Sequence, residues 1–123
     1  EQAPEEIVVT PRSARTKIKF ADVNTEYEFL TPFRRTHDRG NQIEVIHYSL
    51  SPRTWGSATA MLHPEAAECS VVLQGVLEYH TETDVYRLEE GDCIYLPANT
   101  PHRLYNPSEQ ELHAIAMLSP AYF

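Results

Sequence analysis

Short alternations of apolar and polar residues fill the chain from Tyr27 onward, and no three-and-four apolar spacing persists for even three helical turns. A period of two marks strands with one face buried. The pattern predicts strands over Tyr27–Leu30, Ile43–Leu50, Ser57–Leu62, Cys69–Leu73, Val76–His80, Val85–Leu88, Cys93–Leu96, His102–Tyr105 and Leu112–Leu118. Gly, Pro, Asn and paired acids separate them, which is turn chemistry. About nine strands at this even spacing predict an all-β fold, either a closed barrel or a sandwich.

The first 19 residues read differently. Pro4 and Pro11 punctuate them, Ile7-Val8-Val9 offers one short strand, and Arg12, Arg15, Lys17 and Lys19 suit a solvated lead-in or an exposed edge strand. At 123 residues the chain has room for one core. The expected organisation is a linker or N-terminal arm at 1–19 and a single domain at 20–123. Arg34, Arg35, His37, Asp38, Arg39 and Gly40 form a polar loop, read as a solvated face or, alternatively, as a rim meeting an acidic ligand or a neighbouring subunit. The chain opens without Met, as a processed chain or a piece of a longer one would.

Charge narrows the partners. Residues 1–60 balance eight basic against eight acidic residues, whereas residues 61–123 set Arg87 and Arg103 against ten acids, which accounts for the net −8. Such a surface repels a phosphate backbone, so direct nucleic-acid binding by this domain is not expected. No apolar run is long enough to cross a bilayer, and Glu1 to Glu6 is acidic where a secretory leader would be basic and then apolar. Cys69 and Cys93 each sit in a strand-like run and read as buried, reduced thiols, consistent with a cytoplasmic chain.

Three side chains carry candidate metal chemistry. His63, Glu68 and His102 come from separate strands or strand ends, and inward alternation in a barrel can bring them to one interior point. Two imidazoles and a carboxylate with open positions hold Fe(II), and Mn, Ni or Zn also suit such a set, so one divalent ion is the expected cofactor. The same alternation lines the interior with Met61, Val72, Tyr95 and Leu104, making Met61, His63, Glu68, Tyr95, His102 and Leu104 the expected ligand pocket. The plain alternative is that each histidine is a satisfied core or rim residue, and His37, His47, His80 and His113 are read that way.

The spacing of these residues resembles the two motifs of the cupin superfamily. The first, G-x5-H-x-H-x3,4-E-x6-G in family form, runs from Gly56 through His63 and Glu68 to Gly75. The second, G-x5-P-x-G-x2-H-x3-N, runs from Gly91 through Pro97, Asn99 and His102 to Asn106. Asn99 replaces a glycine, a swap that a positive φ tolerates. Met61 replaces the family's first metal-binding histidine, and the leading Gly56 lies one residue closer than usual. A thioether is a poor ligand for Fe(II), Mn or Zn, so the resemblance implies three protein ligands in place of four. It also implies a double-stranded β-helix, or jelly-roll, barrel of two antiparallel sheets.

The flanks resemble one subgroup, the C-terminal cupin domains of bacterial transcriptional regulators of the XRE helix-turn-helix type. Glu5 to Lys19 resembles their acidic-then-basic linker, Tyr27-Glu28-Phe29-Leu30-Thr31-Pro32 the segment after it, and Met117 to Phe123 their closing tail. The resemblance implies a homodimeric effector-sensing domain that binds a small molecule and contacts DNA only through a helix-turn-helix domain absent from this chain. Residues 1–30 and Tyr122-Phe123 are the expected association surface. The alternative is a stand-alone metal-dependent cupin enzyme, an oxygenase or lyase acting on a small acid, with Tyr79, Tyr95 or Tyr105 as acid/base groups. A ligand-free dimerisation barrel is the third possibility.

Overall fold

The computed structural model describes residues 7–33 and 42–121, and within them the chain is all-β, with a single 3-10 turn at Arg12–Ala14 and no α-helix. Ten strands follow in order: β1 (Thr16–Ile18), β2 (Glu26–Phe29), β3 (Glu44–Leu50), β4 (Thr54–Trp55), β5 (Ala67–Gln74), β6 (Leu77–His80), β7 (Val85–Leu88), β8 (Cys93–Leu96), β9 (Arg103–Asn106) and β10 (Leu112–Ser119). They form two antiparallel sheets, β1-β2-β3-β10-β5-β8 and β4-β9-β6-β7. Among the described residues no helix is long and apolar enough to cross a membrane.

Alternation explains the packing. Ile46, Tyr48 and Leu50 of β3 point inward, as do Leu112, Ala114, Ala116 and Leu118 of β10, and both sets are at most 5% exposed. Phe29, Val72, Leu77, Tyr79, Leu88 and Leu104 join them between the sheets. Each fully buried large side chain contributes roughly 1.5–3 kcal/mol relative to exposure.

The turns follow the sequence's chemistry. Gly75 turns the chain from β5 in one sheet to β6 in the other at φ +88°, and a Cβ there would sit 3.0 Å from the Glu111 carbonyl oxygen, so both backbone and space demand glycine. Asn99 adopts φ +64°, the left-handed conformation expected where the family pattern has glycine. Gly56 is held by proximity, because a Cβ would meet Thr25 Oγ1 at 2.6 Å.

Three expectations change. Residues 57–62 form no strand: only isolated bridges pair Val23 with Ser57 and Met61 with His102. Ser57 Oγ donates to the Thr59 carbonyl at 2.6 Å, a local bond that competes with a ladder. Ile7–Val9 forms no strand, whereas Thr16–Ile18, inside the expected arm, takes the edge-strand reading over the solvated one and pairs with β2 at the edge of the larger sheet. The cysteines are free thiols on the outer face of that sheet, Cys69 half-buried and Cys93 exposed, because their inward neighbours are Glu68 and Ser70 on β5 and Ile94 on β8. The expected polar loop at 34–40, the segment Glu1–Glu6 and the Tyr122-Phe123 end lie outside the described residues.

Candidate metal centre in the barrel

His63, Glu68 and His102 converge. One donor atom from each lies within 4.8 Å of the other two, and all three residues are buried. The local structure places them. Glu68 points inward from β5, and the β5–β8 register sets Leu96 beside it on the inner face. His102 stands at the head of β9, and paired backbone hydrogen bonds of 2.7 and 3.0 Å join it to Met61. Asn99 N donates to the His63 carbonyl at 2.9 Å, tying the loop that carries His63 to the turn before His102.

The hydrogen bonds orient the donors. His102 Nδ1 lies 2.8 Å from the Thr100 carbonyl, which can only accept, so Nδ1 carries a proton and Nε2 is the ring atom turned toward Glu68. That Nε2 lies 3.9 Å from Glu68 Oε1, and His63 Nε2 lies 3.2 Å from the same oxygen. The other carboxylate oxygen, Oε2, accepts from Tyr79 Oη at 2.8 Å and Ser70 Oγ at 3.1 Å. Burial alone pushes the Glu68 carboxyl up, but the His63 hydrogen bond, the His102 charge and the Tyr79 hydroxyl outweigh it and hold it below the usual range. Glu68 is therefore an anion with one oxygen anchored and the other facing two imidazoles.

This donor set fits a divalent ion. Borderline nitrogen and hard oxygen donors are the types that Fe, Mn, Ni and Zn accept, and a carbonyl-anchored imidazole such as His102 is typical of metal-bound histidine. His63 Nε2, Glu68 Oε1 and His102 Nε2 would hold the ion. It would supply a Lewis-acidic positive centre with open positions for an oxygen- or nitrogen-bearing ligand. Met61 lines the same cavity, and its Sδ accepts a hydrogen bond from Tyr27 Oη at 3.8 Å.

The cavity above the three donors is about 30 Å³, room for roughly two waters. Its walls are Tyr27, Ile46, Tyr48, Met61, Leu104, Ala116 and Leu118. The expected pocket residues Met61, His63, Glu68, His102 and Leu104 are all there. Tyr95 is not: it is 64% exposed on the outer face of β8, because Glu68 pairs with Leu96 and a neighbour in a strand faces the other way. Val72 is buried in the core. Tyr27, Ile46, Tyr48, Ala116 and Leu118 escaped the sequence reading, as did the Ser70 and Tyr79 hydroxyls behind Glu68. Ser70 had a usable signal, since it lies two residues from Glu68 on the same face.

The walls are chemically quiet. Burial, the largest influence, pushes the Tyr27 phenol up to about 12 and raises Tyr48 further. Tyr79 is wholly buried, donates its one proton to Glu68 and lies 2.7 Å from Ser70 Oγ, and burial likewise raises its phenol. Tyr105 faces outward from the smaller sheet, where it packs against Trp55 with ring centroids 4.7 Å apart.

Comparison with known proteins agrees with this architecture. Residues 47–118 match the Cupin_2 cupin-domain family, and the chain belongs to that family. The chain is 31% identical over 85 residues to the alginate biosynthesis protein AlgA of Pseudomonas putida, a match covering 69% of this chain and 17% of that protein. It thus spans about a sixth of the length of that curated relative. Among solved structures, a predicted oxalate decarboxylase from Thermotoga maritima superposes with a TM-score of 0.73 at 16% identity, covering 93% of this chain and 100% of the other. The Cupin_2 domain of an XRE-family transcriptional regulator from Enterobacter cloacae gives 0.64 at 17% identity, covering 78% of this chain and 96% of that one. At these identities both structures speak to fold.

Proposed function

We propose that this chain is the effector-sensing domain of a cytoplasmic, homodimeric bacterial transcriptional regulator. It receives a small molecule at a divalent ion held by His63, Glu68 and His102, and leaves DNA contact to a separate helix-turn-helix domain. The observation that carries the sensing reading is the wall chemistry. Apart from the three donors, the cavity's titratable groups are Tyr27 and Tyr48, whose phenols stay protonated far above neutral pH. A binding site needs no group to exchange protons, whereas most acid–base catalysis does. The XRE-type flanks and the acidic second half of the chain support the same reading.

Sensing requires differential affinity: the ligand alters DNA binding only by favouring one inter-domain arrangement over another. The segment leading into β1 is where that difference would be transmitted. The test is the parent reading frame followed by a ligand screen. A helix-turn-helix segment upstream, together with a stabiliser among amines, amino acids and small carboxylates whose effect His102→Ala abolishes, supports sensing. An isolated cupin frame overturns it.

The open positions of a three-ligand centre favour one second reading, a metal-dependent oxygenase or lyase acting on a small acid. Turnover of such an acid by the metal-loaded chain would establish it, and binding without turnover would exclude that acid as substrate.

A further inference from the structure

Three sulfur side chains stand together on the outer face of the larger sheet. Met117 of β10 is directly opposite Cys69 of β5. On the other side of β5, Cys69 faces Tyr95 and Val71 faces Cys93, so Cys69 and Cys93 are diagonal neighbours on β5 and β8. All three point outward, because the residues that flank them, Glu68, Ser70, Ala116 and Leu118, are buried and Ile94 packs against the core. Met117 is 40% exposed, Cys93 is exposed and Cys69 half-buried, and both thiols are free. The chain holds two Cys and two Met, so three of its four sulfurs meet on a face where alternation alone asks for polar residues.

Spacing decides what such a cluster can do. Directly opposite side chains have Cβ atoms about 4.5–5.5 Å apart, and diagonal ones roughly 6–7 Å. A disulfide requires about 3.5–4.5 Å, so Cys69 and Cys93 stand too wide for one without backbone movement. An ion between the sulfurs adds the missing reach, since bonds of about 2.3 Å set three trigonal sulfurs about 4 Å apart. The two thiols already feel each other: burial first, then the charge and hydrogen bonding of the adjacent Cys93, push the Cys69 thiol up. The side chains beside the cluster, Val45, Ile115, Val71 and Tyr95, supply neither carboxylate nor imidazole. A hard ion therefore finds no ligand here.

We propose that Cys69, Cys93 and Met117 form a binding site for one soft monovalent ion, Cu(I), held by two thiolates and a thioether. Thiolate and thioether donors select Cu(I), whereas Fe, Mn and Zn take the imidazole and carboxylate donors of the cavity and bind a thioether poorly. Binding moves no electron: Cu(I) enters as the ion, two thiol protons leave to water, and three copper–sulfur bonds form. Cys69 and Glu68 are consecutive on β5 and face opposite ways, so this site is separate from the cavity and rests on none of its chemistry.

The test is anaerobic titration of the reduced 123-residue chain with Cu(I) in competition with bicinchoninate, followed by copper X-ray absorption. The site predicts one Cu(I) per chain with only sulfur neighbours. Cys93→Ser, at an exposed position, keeps the wild-type circular dichroism and binds at least a hundredfold more weakly, as does Cys69→Ser. Met117→Leu keeps the apolar contact, loses the thioether and binds about tenfold more weakly. His102→Ala binds Cu(I) as wild type does. A wild-type chain that does not compete with bicinchoninate overturns the site, and so does a folded Cys93→Ser or a Met117→Leu at wild-type affinity. Nitrogen neighbours in the absorption spectrum, or copper lost with His102→Ala, overturn it too, because they put the ion in the cavity. A failure here leaves the ion of His63, Glu68 and His102 untouched, since that ion is titrated separately as Mn(II).

Discussion

Asn106 ends β9 with no exposed surface, and its amide joins three segments of backbone. Nδ2 donates to the carbonyls of Leu50, Ser51 and Gln110 at 3.1, 3.1 and 2.8 Å. Oδ1 accepts from the Ser108 amide and hydroxyl, both at 3.0 Å. Two protons shared among three carbonyls, plus two acceptor contacts, amount to about four full hydrogen bonds. At roughly 1 kcal/mol net each, Asn106→Ala costs about 4 kcal/mol, a large fraction of the ~5–15 kcal/mol of an ordinary domain. For a chain of this length that lowers Tm by about 15 °C. Asn106→Asp is the sharper probe, because it keeps the shape but turns an acceptor oxygen toward three carbonyls. It is therefore more damaging than Ala near neutral pH. Urea denaturation followed by circular dichroism measures both variants. A loss under about 1 kcal/mol for Ala, or an Asp variant as stable as wild type, refutes the reasoning.

Other predictions follow the same geometry. Met61→His supplies a third imidazole beside His102 and raises Zn(II) or Mn(II) affinity at least tenfold by calorimetry, whereas Met61→Leu changes it less than about twofold, since the thioether is not among the expected ligands. His47 has a folded-state pKa below the usual value, first through burial and then through His113, whose Nδ1 lies 3.0 Å from its Nε2. A depressed histidine contributes stability above its unfolded value near 6.5, and that contribution is lost as pH falls through the folded value. Calorimetric Tm therefore declines from pH 7.5 to 5, and His47→Gln flattens that decline.

Much of this fold was legible because alternation is a strong signal where one face is buried. Val85–Leu88 and Cys93–Leu96 match their observed bounds, and Leu112–Leu118 is short by a single residue. The donor triad was legible for another reason: His63, Glu68 and His102 sit at fixed distances from turn residues, and turns set where a strand begins. What alternation does not encode is the register between strands. Nothing in the local sequence around Tyr95 says that Glu68 faces Leu96 rather than Tyr95, and a shift of one residue exchanges the faces. Residues 57–62 misled because their composition suits a strand, while the Ser57 side chain diverts the backbone. Tyr27 entered the cavity through a long-range contact with Met61, 34 residues away, which no window of sequence contains.

The central claim is that one ion is held by His63, Glu68 and His102. The direct measurement is a titration of chelator-stripped chain with Mn(II) or Zn(II), followed by calorimetry and elemental analysis, alongside His102→Ala. The account predicts one equivalent bound by wild type, and at least a hundredfold weaker binding by a His102→Ala variant whose circular dichroism is unchanged. Less than about a tenth of an equivalent after refilling, or a His102→Ala variant that binds as wild type does, contradicts it.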